Sequence, residues 1–236
     1  PAQEVVPRVE GKASNYVTVK LEDGTVTGDG APALYRALCE RTGRELAWGM
    51  LTGVRPTKLA MAKLEKGAEE EAFASWFREN YFVSSEKARL AWKIAKKEKA
   101  LLDRLDKEDG YSLYVGIPFC PTVCTYCSFS SGSLTDWADK VEDYLDALLK
   151  ELRAVAKMSA DKKLNTIYIG GGTPTTLEAA QLERLLSCID EDFDRGHLLE
   201  YTVEAGRPDS ITKEKLGVMK RHNVTRTSVN PQSMQQ

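Results

Sequence analysis

From Tyr111 onward the chain alternates between short β-type runs and longer stretches of helical period, and this alternation constrains its fold more than any other feature. The strand-like runs are YSLYVGIPF, NTIYIGGG, LEYTVEAG and NVTRTSVN. The first helical pattern between them begins at Thr135 and turns Trp137, Val141, Leu145, Leu148, Leu149, Leu152 and Val155 to one side. The second opens with the capping box Thr175-x-x-Glu178 and repeats Leu182, Leu185, Leu186 and Ile189 at i, i+3, i+4 and i+7. A third, shorter one covers about Ile211 to His222. Repeated strand–helix units demand a parallel sheet, open or closed as a barrel, because parallel neighbours need a crossover between them. Four strands are too few to close a barrel, so the fold class is α/β with an incomplete set of strands.

Residues 1–109 read differently from 110–236. YVTVKLEDGTVTG holds two β-type runs around an Asp23-Gly24 turn signal, a short hairpin. Helical pattern then runs from about Ala31 to Asp106, broken at TGRELAWGMLTGVRPTK. The last of these helices, about Ser85 to Leu105, gathers Ala91, Ile94, Ala95, Leu101, Leu102 and Leu105 on one stripe. Its lysines fall mostly on the other side and read as a solvated face rather than a docking surface. The chain opens Pro1-Ala2-Gln3 and closes Gln235-Gln236 just after a strand-like segment, so both ends read as cut from a longer protein.

Composition narrows the function classes. A formal charge of −2 gives no electrostatic reason to expect nucleic acid. No apolar stretch approaches the ~18 residues of a membrane span, and no signal peptide opens the chain. Five cysteines, three of them crowded together, resemble metal-holding thiols in a reducing compartment more than a disulfide framework, which points to the cytoplasm. Cys39 and Cys188 each lie on an apolar helical stripe and read as core filling.

The crowded three are Cys120, Cys124 and Cys127 in GIPFCPTVCTYCSF, directly behind the first strand. Soft thiolates select zinc or iron–sulfur clusters. A closed zinc site needs a fourth ligand, and His197 and His222 both sit beside charged residues in connections from helix to strand, where neither spacing suggests one. A four-iron cluster on three cysteines leaves one iron free for an external chelate. In parallel α/β folds reactive groups collect at the carboxyl ends of the strands, and the other three ends are also unusual: GGGTPT, Glu204 of TVEAGRP, and SVNPQS. The glycines could be a plain strand-to-helix turn, and Glu204 a surface residue. On one edge with the cysteines they form a constellation.

The spacing C-x3-C-x2-C, with Tyr126 before its last cysteine, resembles the radical S-adenosylmethionine (SAM) superfamily. The motifs LYVGIPFCPTVCTYCSF, GGGTPT, VEAGRPD and NPQSM resemble its oxygen-independent coproporphyrinogen III oxidase-like family. LTGVRPTKLA and VSSEKARLAWKIAKKEKALL are similar to the segment preceding the barrel in the HemZ type. The resemblance implies a partial radical SAM (β/α) barrel over 110–236, preceded by a mostly helical α+β region with a hairpin over 1–109. It implies a [4Fe-4S] cluster on Cys120, Cys124 and Cys127, with SAM completing the open iron. It places Tyr114 by this SAM, Gly171, Gly172 and Thr173 at its amino group, and Glu204 at its ribose. Tyr126 and Gln232 match positions beside a second SAM, so one or two are implied. Two positions depart from the best-known oxidases: Gly116 stands where they carry a histidine, and Phe129 where they carry a fourth cysteine, a departure shared with the haem-chaperone branch.

The implied reaction is oxidative decarboxylation of propionate to vinyl, converting coproporphyrinogen III to protoporphyrinogen IX. It needs no catalytic residue beyond the cluster and SAM, and a flavodoxin- or ferredoxin-type protein would supply the electron. Arg207 is the candidate to hold a substrate carboxylate, although Arg-Pro-Asp equally suits a helix cap. Three other readings compete: a haem carrier of the same family, a radical SAM enzyme with another substrate, and an iron–sulfur module that binds no SAM.

Overall fold

A computed structural model describes residues 5–7, 16–21, 24–129 and 131–231, and the chain divides into two compact units, 1–104 and 105–236. In the first unit β1 (Val5–Pro7), β2 (Tyr16–Leu21) and β3 (Gly24–Asp29) form an antiparallel sheet in that order. The β2–β3 hairpin is the one the sequence shows; β1, paired Val5 to Val19, is an addition. Asp23 of the turn signal lies outside the described residues. Four helices follow: α1 (Gly30–Thr42), α2 (Pro56–Glu65), α3 (Glu70–Tyr81) and α4 (Ser85–Leu102).

The α4 stripe differs from the sequence expectation. Its buried residues are Ala88, Ala91, Trp92 and Ala95, while Ile94, Leu101 and Leu102 are exposed. The aromatic packing decides the facing: Trp92 stacks on Phe73 with ring centroids 5.3 Å apart, and Phe73 lies 4.8 Å from Phe77. An indole among aromatic rings removes more apolar surface from water than an isoleucine, so the helix turns toward Trp92. Cys39 is only half-buried, because α1 buries none of its residues fully.

The second unit runs β4 (Gly110–Ile117), β5 (Phe119–Cys120), β6 (Gly132–Ser133), α5 (Leu134–Trp137), α6 (Val141–Met158), β7 (Lys163–Gly171), α7 (Ala179–Asp192), β8 (Glu200–Glu204), α8 (Lys213–Arg221) and β9 (Arg226–Ser228). β4, β7, β8 and β9 form one parallel sheet in that order. The α/β class and parallel sheet expected from the alternation are therefore present. One face of the sheet, with Leu113, Val115, Ile117, Ile167, Ile169, Tyr201 and Val203, is buried against the helices in a single core. Each such aliphatic side chain contributes about 1.5–3 kcal/mol on burial. The other face carries Ser112, Tyr114 and Gly116 on β4, Thr166, Tyr168 and Gly170 on β7, Glu204 on β8, and Ser228 on β9. Period 2 makes this second face polar or small throughout.

Two helix starts differ from the sequence reading. The helix expected from Thr135 is broken by a 3-10 turn at Ala138–Lys140, and Trp137 is 51% exposed rather than inward. Trp137 instead lies over Gly132, where a Cβ would come within 2.6 Å of its ring. The capping box of α7 is Glu178 with Gln181, one turn later than Thr175 with Glu178. Pro174 opens a 3-10 turn over Pro174–Thr176, and the buried Thr175 hydroxyl meets Ser210 Oγ at 2.6 Å. Cys188 is buried in the core as expected. Among the described residues no helix is long and apolar enough to cross a membrane.

Candidate functional site

At the carboxyl edge of the sheet the chain leaves β4, makes β5, and returns at β6. The pairs Phe119–Gly132 and Cys120–Ser133 close the base of the loop that carries the cysteines. Gly132 N donates to Pro118 O at 2.8 Å, and Cys127 N donates to Cys124 O at 3.0 Å, so the loop is tied at its base and turned at its tip. β7 then delivers Gly171 and Gly172 against the same strand end. Gly172 N donates to Ile117 O at 2.8 Å and Thr173 N to Phe119 O at 2.8 Å. Gly171 adopts φ +108°, a region open to glycine. A Cβ on Gly172 would stand 2.6 Å from Phe119 O and 3.0 Å from Cys120 Sγ. Only a residue without a side chain allows the two loops to approach so closely.

These loops enclose a cavity of about 230 Å³. Cys120, Cys124, Cys127, Tyr126, Gly171, Gly172, Thr173, Glu204 and Arg207 all line it, so nine of the residues singled out in the sequence share one space. Tyr114 does not line it. Its ring, 63% exposed, stacks on Tyr168 at 5.9 Å and 10°, and the Tyr168 hydroxyl donates to a Glu204 carboxylate oxygen. That contact, together with partial burial, pushes the Tyr168 hydroxyl up to about 12. Gln232 lies outside the described residues.

The cavity also collects residues the sequence reading passed over, namely Thr122, Ser131, Gly206, Ser228 and Asn230, and Phe129, which the sequence marked as a departure from the oxidases, lines it too. Tyr168, through Glu204, is the most informative of those missed. Its signal was parity: Tyr168 and Gly170 repeat on β7 the pattern of Tyr114 and Gly116 on β4, paired residue for residue.

The thiols are flanked by donors. Thr173 Oγ1 lies 3.5 Å from Cys120 Sγ, and Arg207 Nη1 lies 3.8 Å from Cys124 Sγ and 3.1 Å from Thr122 Oγ1. Asp209 grips the same guanidinium, Nε to Oδ1 at 3.0 Å, which pushes the Arg207 value further up. The hydrogen bond with the Cys124 thiol raises the Tyr126 hydroxyl. His222 is not available as a ligand: its Nδ1 lies 2.7 Å from Asp190 and its Nε2 2.8 Å from Glu183.

The chemistry of the donor set bears on what it could hold. Among the described residues no group of three or more His, Cys, Asp or Glu side chains is already gathered to hold a metal ion. Three soft thiols spread around one cavity, with no histidine or fourth cysteine among its lining, suit a larger inorganic core with an unfilled coordination position.

Comparison with known proteins agrees with this geometry. The chain is 40% identical over 196 residues to the oxygen-independent coproporphyrinogen-III oxidase-like protein HemZ of Bacillus subtilis, which covers 81% of this chain and 39% of that protein. It is 40% identical over 122 residues to the heme chaperone HemW of Lactococcus lactis, covering 52% of this chain and 30% of that one. It is 36% identical over 121 residues to the oxygen-independent coproporphyrinogen III oxidase of Salmonella typhimurium, covering 51% and 26%. The chain thus spans well under half the length of each of these relatives. A family profile described as the Radical SAM superfamily matches residues 114–236, more than half of the chain and the whole of its parallel sheet from Tyr114 on, and the chain belongs to that superfamily.

Proposed function

We propose that Cys120, Cys124 and Cys127 hold a [4Fe-4S] cluster, that the adjoining cavity takes SAM, and that the protein carries out oxygen-independent oxidation of coproporphyrinogen III. The observation that carries the reading is the convergence of three thiols, a side-chain-free turn at Gly171–Gly172 and the Glu204 carboxylate on one cavity. The cluster and SAM, when bound, supply one-electron cleavage of the sulfonium and hence hydrogen abstraction from an unactivated carbon. The chain's residues bind and orient. An amino group can approach the backbone closely at Gly171 and Gly172, where no side chain intervenes, and Glu204 can accept from ribose hydroxyls while Tyr168 fixes one of its oxygens. Tyr114 extends this wall through its stack on Tyr168.

In this reading the four parallel strands are opening units of a radical SAM barrel over 110–236, and residues 1–109 form a separate α+β region before it. Tyr126 and Gln232 would serve a second SAM. Arg207 offers a guanidinium edge to a propionate carboxylate at the cavity rim. The electron comes from a reduced flavodoxin- or ferredoxin-type protein, and thiols of this kind suit the reducing cytoplasm. The 40% identity to the HemZ protein over 81% of the chain supports the oxidase reading. Phe129, at the position of the oxidases' fourth cysteine, together with 40% identity to a heme chaperone, favours a second reading as a haem carrier.

The test is anaerobic reconstitution of the native protein that carries this chain. Iron and sulfide should be incorporated, and Cys120→Ala, Cys124→Ala and Cys127→Ala should each lose them while Cys188→Ala keeps them. 5′-Deoxyadenosine and a vinyl product should form with coproporphyrinogen III. Retained haem without vinyl product would favour the carrier, and no response to SAM would end both readings.

A further inference from the structure

Lys215, on the first turn of α8, is 6% exposed, yet among the described residues no ion pair involves it. Lysine is almost never buried without a partner, because its amine must then find acceptors away from water. Here Nζ donates to Thr175 O at 2.8 Å and to Ser210 O at 3.3 Å. Those carbonyls belong to two separate 3-10 turns, Pro174–Thr176 and Pro208–Ser210. The first directly follows the glycines of the cavity wall, and the second directly follows Arg207.

A second link runs beside the lysine. Ser210 Oγ donates to Arg207 O at 2.7 Å, so its single proton is committed, and Thr175 Oγ1 is the donor in the 2.6 Å contact between the two hydroxyls. Thr173 N and Thr176 Oγ1, at 2.8 and 3.4 Å from Phe119 O, tie the first turn onward to the strand that enters the cysteine loop. The three loops around the cavity are thus cross-fastened from behind, and Lys215 is the member of that fastening that donates to two turns.

We propose that Lys215 is a positioning residue: it holds the 171–176 turn and the 207–210 turn at a fixed separation and so sets the width of the cavity between Gly172 and Arg207, which rests on the site reading above. A methionine could fill the same volume without burying an amine. The lysine's distinctive contribution is to donate to both turns at once.

Two measurements test this with Lys215→Met. Hydrogen exchange on the ligand-free chain should speed by about tenfold at the Thr176 and Ile211 amides, which close the two turns, while Ile167 and Ile169 within β7 keep their parent rates. No change at the turns, or an equal acceleration throughout β7, overturns the proposal. SAM titrated into the anaerobically reconstituted chain should bind about tenfold more weakly in the variant at unchanged iron content. An unchanged dissociation constant also overturns it. If the parent chain itself binds no SAM, the site reading falls, and exchange alone decides whether the lysine fastens the turns. Should Lys215→Met not fold, Ser210→Ala removes the hydroxyl link with the lysine in place and is held to the same two criteria, with an expected effect of roughly threefold.

Discussion

The Tyr168 hydroxyl donates to Glu204 across the β7–β8 pair, and the same ring stacks on Tyr114 from β4, so three adjacent strands are joined on the polar face of the sheet. A carboxylate that accepts from a fixed phenol has one oxygen oriented and the other left for a ligand.

This contact predicts a pH effect with a definite sign. The Glu204 hydrogen bond, reinforced by partial burial, raises the Tyr168 hydroxyl from 10.0 to about 12. A raised value means the folded state binds the proton more tightly. The contact's stabilisation is therefore fully present below pH 10 and lost as pH climbs through 12. Tyr168 should ionise late in an ultraviolet titration, and Glu204→Gln should bring it back toward 10. If Tyr168 ionises with the ordinary tyrosines in the parent chain, the contact does not persist in solution.

What could be read in advance follows from which signals are local. The parallel sheet was legible because period 2 and period 3.6 alternate cleanly after Tyr111. The shared cavity was legible because Cys120, Gly172 and Glu204 lie at or just beyond the carboxyl ends of β4, β7 and β8, and strand ends in a parallel sheet lie together. The facing of α4 was not, since Ile94 and Trp92 are both plausible on a helical wheel and only Phe73 and Phe77 from α3 decide between them. Trp137 looked like core for the same reason: its outward turn depends on the 3-10 break before Val141 and on the space above Gly132. Lys215 was illegible altogether. Its partners are carbonyls, which every residue has, contributed by turns 5 and 40 positions away in sequence.

A second pH prediction concerns the entry to the sheet. Asp106 accepts from Lys163 Nζ at 2.5 Å and from the Asp109 amide at 3.0 Å, and its backbone is clasped by the Asn165 amide at 2.9 Å. The Lys163 hydrogen bond, then the backbone amides, lower its carboxyl from 3.8 to about 2. A depressed value means stability that is present above pH 3.8 and lost as pH falls through 2. Asp106→Asn should therefore lower the melting temperature at pH 7 and flatten its dependence on pH below 4. An acid limb as steep as the parent's would show that other carboxylates set it.

The sharpest steric prediction falls on Gly172. An added Cβ would meet Phe119 O at 2.6 Å and Cys120 Sγ at 3.0 Å, and backbone cannot swing aside as a side chain can. Gly172→Ala must push the 171–176 turn away from the base of the cysteine loop, at a cost of about 1–3 kcal/mol for such overpacking. The same displacement breaks the approach of Thr173 N to Phe119 O, now 2.8 Å, and moves Cys120 relative to the other two thiols. The variant should melt at lower temperature and incorporate less iron on reconstitution, with SAM binding reduced further than iron content. Gly196→Ala, where the added Cβ meets only the flexible Asp194 carboxylate at 3.2 Å, controls for glycine loss in general and should leave iron content unchanged. Equal behaviour of the two variants would mean that the close approach at Gly172 does not shape the site.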